Sequence, residues 1–96
     1  MISREVTVHD PLGLHLRPAG TFCKYAIQFQ SHVEIKKGNA TVNGKSLLNV
    51  LAAGIKENDT IEIICNGVDE KEALEKLVSL MDNGYEPLDL NQKKQS

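Results

Sequence analysis

Two hydrophobic periodicities alternate along this chain of 96 residues, and their order limits the folds that it can adopt. Segments in which apolar residues recur at every second position, typical of half-buried strands, begin near residues 2, 33, 40 and 60. Segments with the period of amphipathic helices follow the first, third and fourth of these strands. The order βαββαβα predicts an α+β open-faced β-sandwich, in which a four-stranded antiparallel sheet carries three helices on one face.

The first strand and the first helix are separated by a segment that favours a turn. The strand is predicted over Ile2 to His9, and the residues Asp10-Pro11-Leu12-Gly13 interrupt it, because Pro and Gly break regular structure. A helix is predicted to begin just after His15, with Pro18 in its first turn, where a missing backbone N–H costs little. Gly20 is unusual within this helix, since glycine in a helix interior costs about 1 kcal/mol relative to alanine.

The second and third helices have recognisable start and stop residues. Ser46 is a favourable N-cap for a short helix from Leu47 to Ala53. Asp69, with Glu72 three residues later, predicts a capping box at the start of the third helix. Gly84 is predicted to end that helix.

Composition and charge exclude several classes of protein. The 11 Lys and Arg residues against 13 Asp and Glu residues give a net charge of −2, which is not the charge of a nucleic-acid or anionic-membrane binder. None of the four aromatic residues lies on a predicted strand, which argues against a sheet that stacks RNA bases. No apolar run approaches the roughly 20 residues that span a bilayer, and the N-terminus has no secretory signal. We therefore expect one cytoplasmic domain over residues 1–85 and a disordered polar tail over residues 86–96.

The two cysteines fall on predicted core faces. Cys23 and Cys65 form no CxxC pair, and we interpret them as buried, reduced thiols of a cytosolic protein. The sequence alone leaves a disulfide between them open. His9 and His32 have no metal-ligand spacing to these or other residues, so neither a metal nor a cofactor is expected.

The segment from Gly13 to Ala19 contains the residues most suited to chemistry. His15 lies where a glycine-containing loop meets a helix start, and a helix N-terminus binds anions through unpaired N–H groups and its dipole. The guanidinium of Arg17 can hold a phosphate with two donors. Imidazole is a competent nucleophile near neutral pH. These residues suggest a histidine that accepts and passes on a phosphoryl group, although an ordinary helix-flanking histidine beside a solvated Arg17 would have the same sequence.

Three further segments stand out: Asn43-Gly44-Lys45-Ser46-Leu47-Leu48, Gly54-Ile55, and Thr60-Ile61-Glu62-Ile63. Together with residues 13–19, and in the predicted element order, they resemble the HPr family. These proteins are the histidine-containing phosphocarriers of the bacterial phosphoenolpyruvate-dependent sugar phosphotransferase system. The resemblance covers roughly residues 1–85.

The resemblance implies a role for each residue of the histidine segment. His15 would be phosphorylated through its Nδ1 atom, with the Arg17 side chain and the backbone amides of Leu16 and Arg17 near the phosphate. The phosphoryl group would arrive from enzyme I and leave to sugar-specific EIIA domains. The protein would then be a monomeric carrier that partner phosphotransferases use as a substrate, and not itself an enzyme.

Three positions depart from the family pattern. Position 12 is often small and polar in the family, where it helps to cap the loop, and Leu12 cannot do this. Leu16 replaces a small residue, and Gly20 replaces a larger one. These departures leave His15 and Arg17 in place, but they bear on loop geometry and on the rate of transfer.

A partner-binding surface is predicted beside His15. The short second helix must expose Leu48 if Leu47, Val50 and Leu51 face the sheet, and an exposed apolar patch near a reactive group commonly marks a docking face. The resemblance implies that partners meet this helix and the start of the first one. The predicted interface consists of Gly20, Thr21, Lys24, Leu47, Leu48 and Leu51.

Ser46 has two interpretations. It is a suitable helix N-cap, which needs no further purpose. Similarity to HPr proteins of low-GC Gram-positive bacteria implies instead a regulatory phosphorylation site for HPr kinase/phosphorylase, with a catabolite-control transcription regulator as partner. A purely regulatory HPr-like module is the alternative function, but such paralogues lack the histidine that this chain has at position 15.

Overall fold

The computed structural model describes residues 1–82 and confirms the predicted α+β open-faced sandwich. The elements are β1 (Ile2–Thr7), α1 (Leu16–Ala26), β2 (His32–Lys37), β3 (Ala40–Asn43), α2 (Leu47–Ala52), β4 (Thr60–Asn66) and α3 (Glu70–Asp82). The predicted end of the third helix at Gly84, the boundary of the domain at residue 85 and the tail lie outside the described residues.

The four strands form one antiparallel sheet in the order β1-β4-β2-β3. The register is shown by Ile63, which lies between Arg4 of β1 and Ile35 of β2. Because strand side chains alternate between the two faces, every second residue of β4 is buried, and Ile61, Ile63 and Cys65 face the helices. The other face of the sheet remains open to solvent.

The three helices supply the second layer of the core. α1 buries Phe22 completely, together with Ala19 and Ala26 on the same face. α3 packs over β1 and β4 and buries Leu77. α2 contacts β3 and α1, and its fully buried residue is Val50. Because each helix buries one stripe, the core lies between the helices and one face of the sheet.

β1 is shorter than predicted because its last residues pair with a loop. The strand ends at Thr7, but Val8 donates its N–H to the carbonyl of Asp59 over 2.9 Å. The carbonyl of Val8 accepts from the N–H of Asn58 over 2.7 Å. The chain before the turn is therefore held by residues 58–59, which precede β4.

Asp69 is the N-cap residue of α3, since its carbonyl accepts the N–H of Ala73 over 2.9 Å, but its side chain does not form the predicted capping box. The Asp69 carboxylate accepts hydrogen bonds from the backbone N–H groups of Gln30 (2.8 Å) and Ser31 (3.0 Å) and from the Ser31 hydroxyl (2.5 Å). A partner from a distant segment has replaced the local one, and Ser31, which is completely buried, depends on it. The carboxylate of Glu70, at the start of α3, accepts the N–H of Gly67 over 3.1 Å.

Both cysteines are free thiols within the core, as predicted. Burial raises the pKa of Cys65 to about 11, with smaller contributions from Asp69 and Glu70, and burial also raises the pKa of Cys23. Neither thiol is therefore a reactive thiolate near neutral pH. Over residues 1–82 no helix combines the length and the apolarity that crossing a bilayer requires.

Candidate functional site

The loop that carries His15 is anchored by its two preceding residues. Gly13 has a φ of +70°, and a Cβ atom there would overlap the carbonyl oxygen of Ile55 and lie 2.8 Å from the Cα of Lys56. Leu14 donates its N–H to the same Ile55 carbonyl over 3.0 Å, and its side chain is buried. Only glycine fits at position 13, since the conformation and the close approach both exclude a side chain. The sequence match at Gly54-Ile55 thus has a structural reason, which is to support the histidine loop.

The 54–59 segment is itself fixed to the sheet. Lys37, at the end of β2, donates from Nζ to the carbonyl of Gly54 (2.8 Å) and forms an ion pair with Asp59 (3.0 Å). Asp59 also accepts the N–H of Lys56 over 2.7 Å. The Lys56 N–H and the Lys37 ammonium lower the pKa of the Asp59 carboxyl. These contacts give the histidine loop a rigid base.

His15 is the N-cap residue of α1, and its imidazole is not used for capping. The backbone is extended (φ −83°, ψ −169°), and the carbonyl accepts the first intrahelical bond, from Ala19, over 2.9 Å. The side chain makes no capping hydrogen bond, although that is the usual role of a polar residue at this position. About a third of it, 34%, is exposed. The ring is therefore open to an incoming molecule and is held at its base by the helix.

Asp10 contacts the imidazole, and sequence reasoning missed this role. One Asp10 oxygen, Oδ1, accepts the N–H of Leu12 over 2.9 Å, and the Asp10 carbonyl accepts the N–H of Gly13 over 2.8 Å. The other oxygen, Oδ2, lies 3.5 Å from Nε2 of His15. An Asp two residues before a turn amide is a recognisable Asx-turn signal, but a partner five residues away has no such signal. Asp10 thus provides the cap that the Leu12 side chain cannot.

The first turn of α1 presents positive potential beside the ring. Leu16 and Arg17 are the first two helical residues, so their N–H groups have no partner one turn earlier, and Pro18 has no N–H. The first turn contains no acidic residue. Among the ion pairs of residues 1–82, none involves the exposed guanidinium of Arg17. The structure therefore brings His15 and Arg17 to an end of a helix that is suited to a phosphate.

The residues of the predicted interface are divided between two neighbouring helices. Gly20 and Thr21 are half-buried and Lys24 is exposed on α1, which packs against α2. Leu48 is 79% exposed, whereas Leu47 and Leu51 are partly buried against the core. Leu12 and Leu16, on either side of His15 in the chain, are also exposed. The loop and the two helices therefore expose apolar side chains.

Ser46 caps α2, as its sequence context predicts. Its Oγ accepts the N–H of Asn49 over 3.3 Å, and its N–H donates to the carbonyl of Asn43 over 3.2 Å. Asn43 also accepts the N–H of Lys45 through its side chain, over 2.9 Å. Ser46 is therefore the N-cap residue of α2.

The Gly44-Lys45 pair ties the start of α2 to the core. The N–H of Gly44 donates to the carbonyl of Val33 over 2.7 Å, and a Cβ at Gly44 would lie 2.7 Å from Cγ1 of Val33. Lys45 donates from Nζ to the carbonyl of Phe29 over 2.7 Å. The Asn43-Gly44-Lys45 segment is thus explained by packing, which fixes α2 and Leu48.

Fold and site together define a class: a small open-faced α+β domain that presents a histidine at a helix N-terminus. A family model described as the PTS HPr component phosphorylation site matches residues 2–83. The phosphocarrier protein HPr of Neisseria meningitidis serogroup A is 35% identical over 85 residues, which cover 88% of this chain and 94% of that protein. The HPr-like protein Crh of Halalkalibacterium halodurans is also 35% identical, over 85% of this chain and 98% of its own. This chain belongs to the HPr family of phosphocarrier proteins.

Solved structures agree with this assignment. The HPr of Thermoanaerobacter tengcongensis superposes with a TM-score of 0.86 at 31% identity, covering 92% of this chain and all of that one. An HPr dimer of the same organism gives a TM-score of 0.72 at 30% identity, over 90% and 99% of the two chains. The resemblance inferred from the sequence is therefore confirmed, whereas the predicted monomer stays a prediction, because dimers occur among similar structures.

Proposed function

We propose that this protein carries a phosphoryl group on Nδ1 of His15, received from phospho-enzyme I and passed to the EIIA domains of sugar permeases. The observation that supports this most is the state of the imidazole, which occupies an N-cap position but is not used as a cap. The ring is partly exposed and makes no capping hydrogen bond, so it can accept a phosphoryl group and release it again. Family membership gives the general role, and the residues of the site support the particular one.

The phosphate would be held by the start of α1. The backbone N–H groups of Leu16 and Arg17 can donate to phosphoryl oxygens, and the helix dipole favours negative charge there. The Arg17 guanidinium can add two donors. The site is partly exposed, so a partner protein can reach the phosphoryl group and remove it.

Partner proteins would dock on the exposed apolar side chains of the histidine loop, of α1 and of α2. Leu48 is the strongest candidate, because it remains 79% exposed among residues 1–82. Thr21 and Lys24 would extend this surface onto α1, which packs against α2. Leu47 and Leu51 are half core and half surface and would position Leu48. We place the carrier in the cytoplasm and expect it to work as a monomer.

Regulatory phosphorylation of Ser46 is the second candidate function. It is favoured by the similarity to Crh, since one solved Crh structure, from Bacillus subtilis, is described as a catabolite repression HPr. In this role HPr kinase/phosphorylase would modify Ser46, and a transcription regulator of catabolite control would bind the product. The presence of His15 favours the carrier function as the primary one.

The carrier function is tested by labelling with phosphoenolpyruvate and enzyme I. We expect one phosphate per chain, labile in acid and stable in base, that maps to His15 and is absent from His15→Ala. His32→Ala, which changes an exposed histidine of β2, is the matched control and should label normally. A label that survives His15→Ala would refute the assignment. Incubation with ATP and a cell extract, followed by peptide mapping, tests Ser46 separately.

A further inference from the structure

The two oxygens of the Asp10 carboxylate make different contacts. Oδ1 holds the Leu12 N–H and closes the turn, while Oδ2 lies 3.5 Å from Nε2 of His15. Among residues 1–82, this is the one carboxylate within 4.0 Å of the imidazole nitrogens of His15. The turn itself fixes the direction of Oδ2, because Oδ1 is already engaged.

A neutral imidazole carries its proton on one nitrogen and a lone pair on the other. A carboxylate can only accept a hydrogen bond, so a carboxylate beside Nε2 favours the tautomer with the proton on that atom. Nδ1 then has a free lone pair. We propose that Asp10 is a positioning residue that keeps the proton of His15 on Nε2 and thereby presents Nδ1 as the nucleophile. This inference rests on the proposed carrier function.

In this arrangement the imidazole ring neither gains nor loses a proton during the reaction. In the first step the Nδ1 lone pair forms the N–P bond, while the bond from phosphorus to the donor breaks and its electron pair stays with the donor. The phosphorylated ring is then cationic and keeps its proton on Nε2, facing Asp10. In the second step the acceptor's nucleophile bonds to phosphorus, and the electron pair of the broken N–P bond returns to Nδ1. The ring ends in the tautomer in which it began.

Asp10→Asn separates this role from closure of the turn. The amide oxygen can still accept the Leu12 N–H, so the turn is retained, but the amide NH₂ then replaces Oδ2 and donates toward Nε2. We expect the tautomer to shift toward the proton on Nδ1, and the rate of phosphorylation by enzyme I to fall roughly tenfold, because a ring with its proton on Nδ1 has no lone pair there to attack phosphorus. If Asp10 served only the turn, Asp10→Asn would behave as the unchanged protein.

The direct readout is the pair of ring ¹⁵N chemical shifts of unphosphorylated His15, measured by NMR near pH 8.5, well above the ordinary pKa of histidine of about 6.5. We expect mainly Nε2–H in the unchanged protein and a shift toward Nδ1–H in Asp10→Asn. His9 and His32 are internal controls whose tautomers should stay the same. Asp10→Ser, whose hydroxyl can close the turn but brings no carboxylate, is the second variant and should show mixed tautomers.

Two results would overturn the inference. One is a His15 ring that carries its proton mainly on Nδ1 in the unchanged protein. The other is an Asp10→Asn variant in which tautomer and rate both match the unchanged protein. The tautomer measurement needs no partner protein, so failure of the carrier function would show separately, as a chain that enzyme I does not label although His15 has the expected tautomer.

Discussion

Two aspartates, Asp69 just after β4 and Asp10 in the loop before α1, accept backbone hydrogen bonds through their side chains, and they differ in how fully those side chains are used. Asp69, beyond the end of β4, accepts three hydrogen bonds from Gln30 and Ser31 at 2.5 to 3.0 Å. The loop of Asp10 contacts the segment before β4, and the Asp10 side chain accepts one hydrogen bond of 2.9 Å and makes one longer contact of 3.5 Å with His15. The Asp69 carboxylate is thus fully used within the fold, whereas Asp10 keeps one oxygen directed at the partly exposed ring of His15.

The difference follows from burial. Ser31 is completely buried, so its hydroxyl and N–H must find partners within the protein, and Asp69 supplies them. His15 is partly exposed, and water can satisfy its ring until a partner arrives. Stability and function therefore depend on different contacts. Loss of the Ser31–Asp69 contact should alter stability without altering phosphoryl transfer, and loss of exposed side chains that contact partners should alter transfer without altering stability.

Ser31→Ala should have the largest effect on stability. It removes the 2.5 Å hydrogen bond from a buried hydroxyl to a charged acceptor, and such bonds contribute about 2 kcal/mol. We expect the free energy of unfolding, measured with urea, to fall by about that amount. Phosphorylation of His15 at a temperature where the variant is folded should be unchanged. A slower transfer reaction in folded Ser31→Ala would contradict this separation of stability from transfer.

The Ser31–Asp69 contact should also give the protein an acid-sensitive stability. The Ser31 hydroxyl, followed by the Gln30 and Ser31 N–H groups, lowers the pKa of Asp69 below its usual value. A lowered pKa in the folded state contributes stability that is complete above about pH 5 and is lost as the pH falls through the folded value. In urea titrations from pH 6 to 2, the advantage of the unchanged protein over Ser31→Ala should therefore shrink. If the difference in unfolding free energy between the two proteins stayed constant with pH, the Ser31 hydroxyl would not be what lowers the pKa of Asp69.

Leu48→Ser should affect transfer and leave folding intact. Leu48 and Val68 are both exposed apolar residues, at 79% and 87%, but Leu48 lies on α2, whereas Val68 lies just before α3 and outside the predicted interface. We expect Leu48→Ser to lower the rate of phosphoryl transfer from enzyme I roughly tenfold, because a central apolar contact is lost. Both variants should keep their unfolding free energy within about 0.5 kcal/mol.

Val68→Ser is the matched control, and its transfer rate should equal that of the unchanged protein. Equal rates for both variants would mean that exposure of Leu48 does not serve partner binding.

The sequence was sufficient for the parts of the molecule that depend on local pattern. Strand and helix periodicity predicted the order of the elements, and Ser46 was recognisable as a cap because its partner Asn49 is three residues away. The capping box at Asp69 failed because its partners are 38 and 39 positions away in the chain. The same limit hid the contact between Asp10 and His15, which depends on how the loop folds back on residues 54–56.

The site was predictable only in part for a related reason. His15 and Arg17 were identified by their residue types at a helix start and by family resemblance. That Leu48 would be exposed followed from counting the faces of a short helix. The contact of Asp10 with Nε2 of His15 uses the carboxylate oxygen that the turn leaves free. The direction of that oxygen cannot be read from the periodicity of the sequence.

Gly20→Ala should produce the smallest change. It tests whether glycine at position 20 of α1 serves partner binding although alanine would make the helix more stable. A Cβ at Gly20 would meet no atom within 4 Å, so alanine fits without strain. Alanine is preferred to glycine within a helix by about 1 kcal/mol, and we expect the free energy of unfolding to rise by that amount. If Gly20 belongs to the docking surface, the same variant should also transfer phosphate more slowly. A gain in stability with an unchanged rate would remove Gly20 from that surface and would leave the glycine without a functional reason.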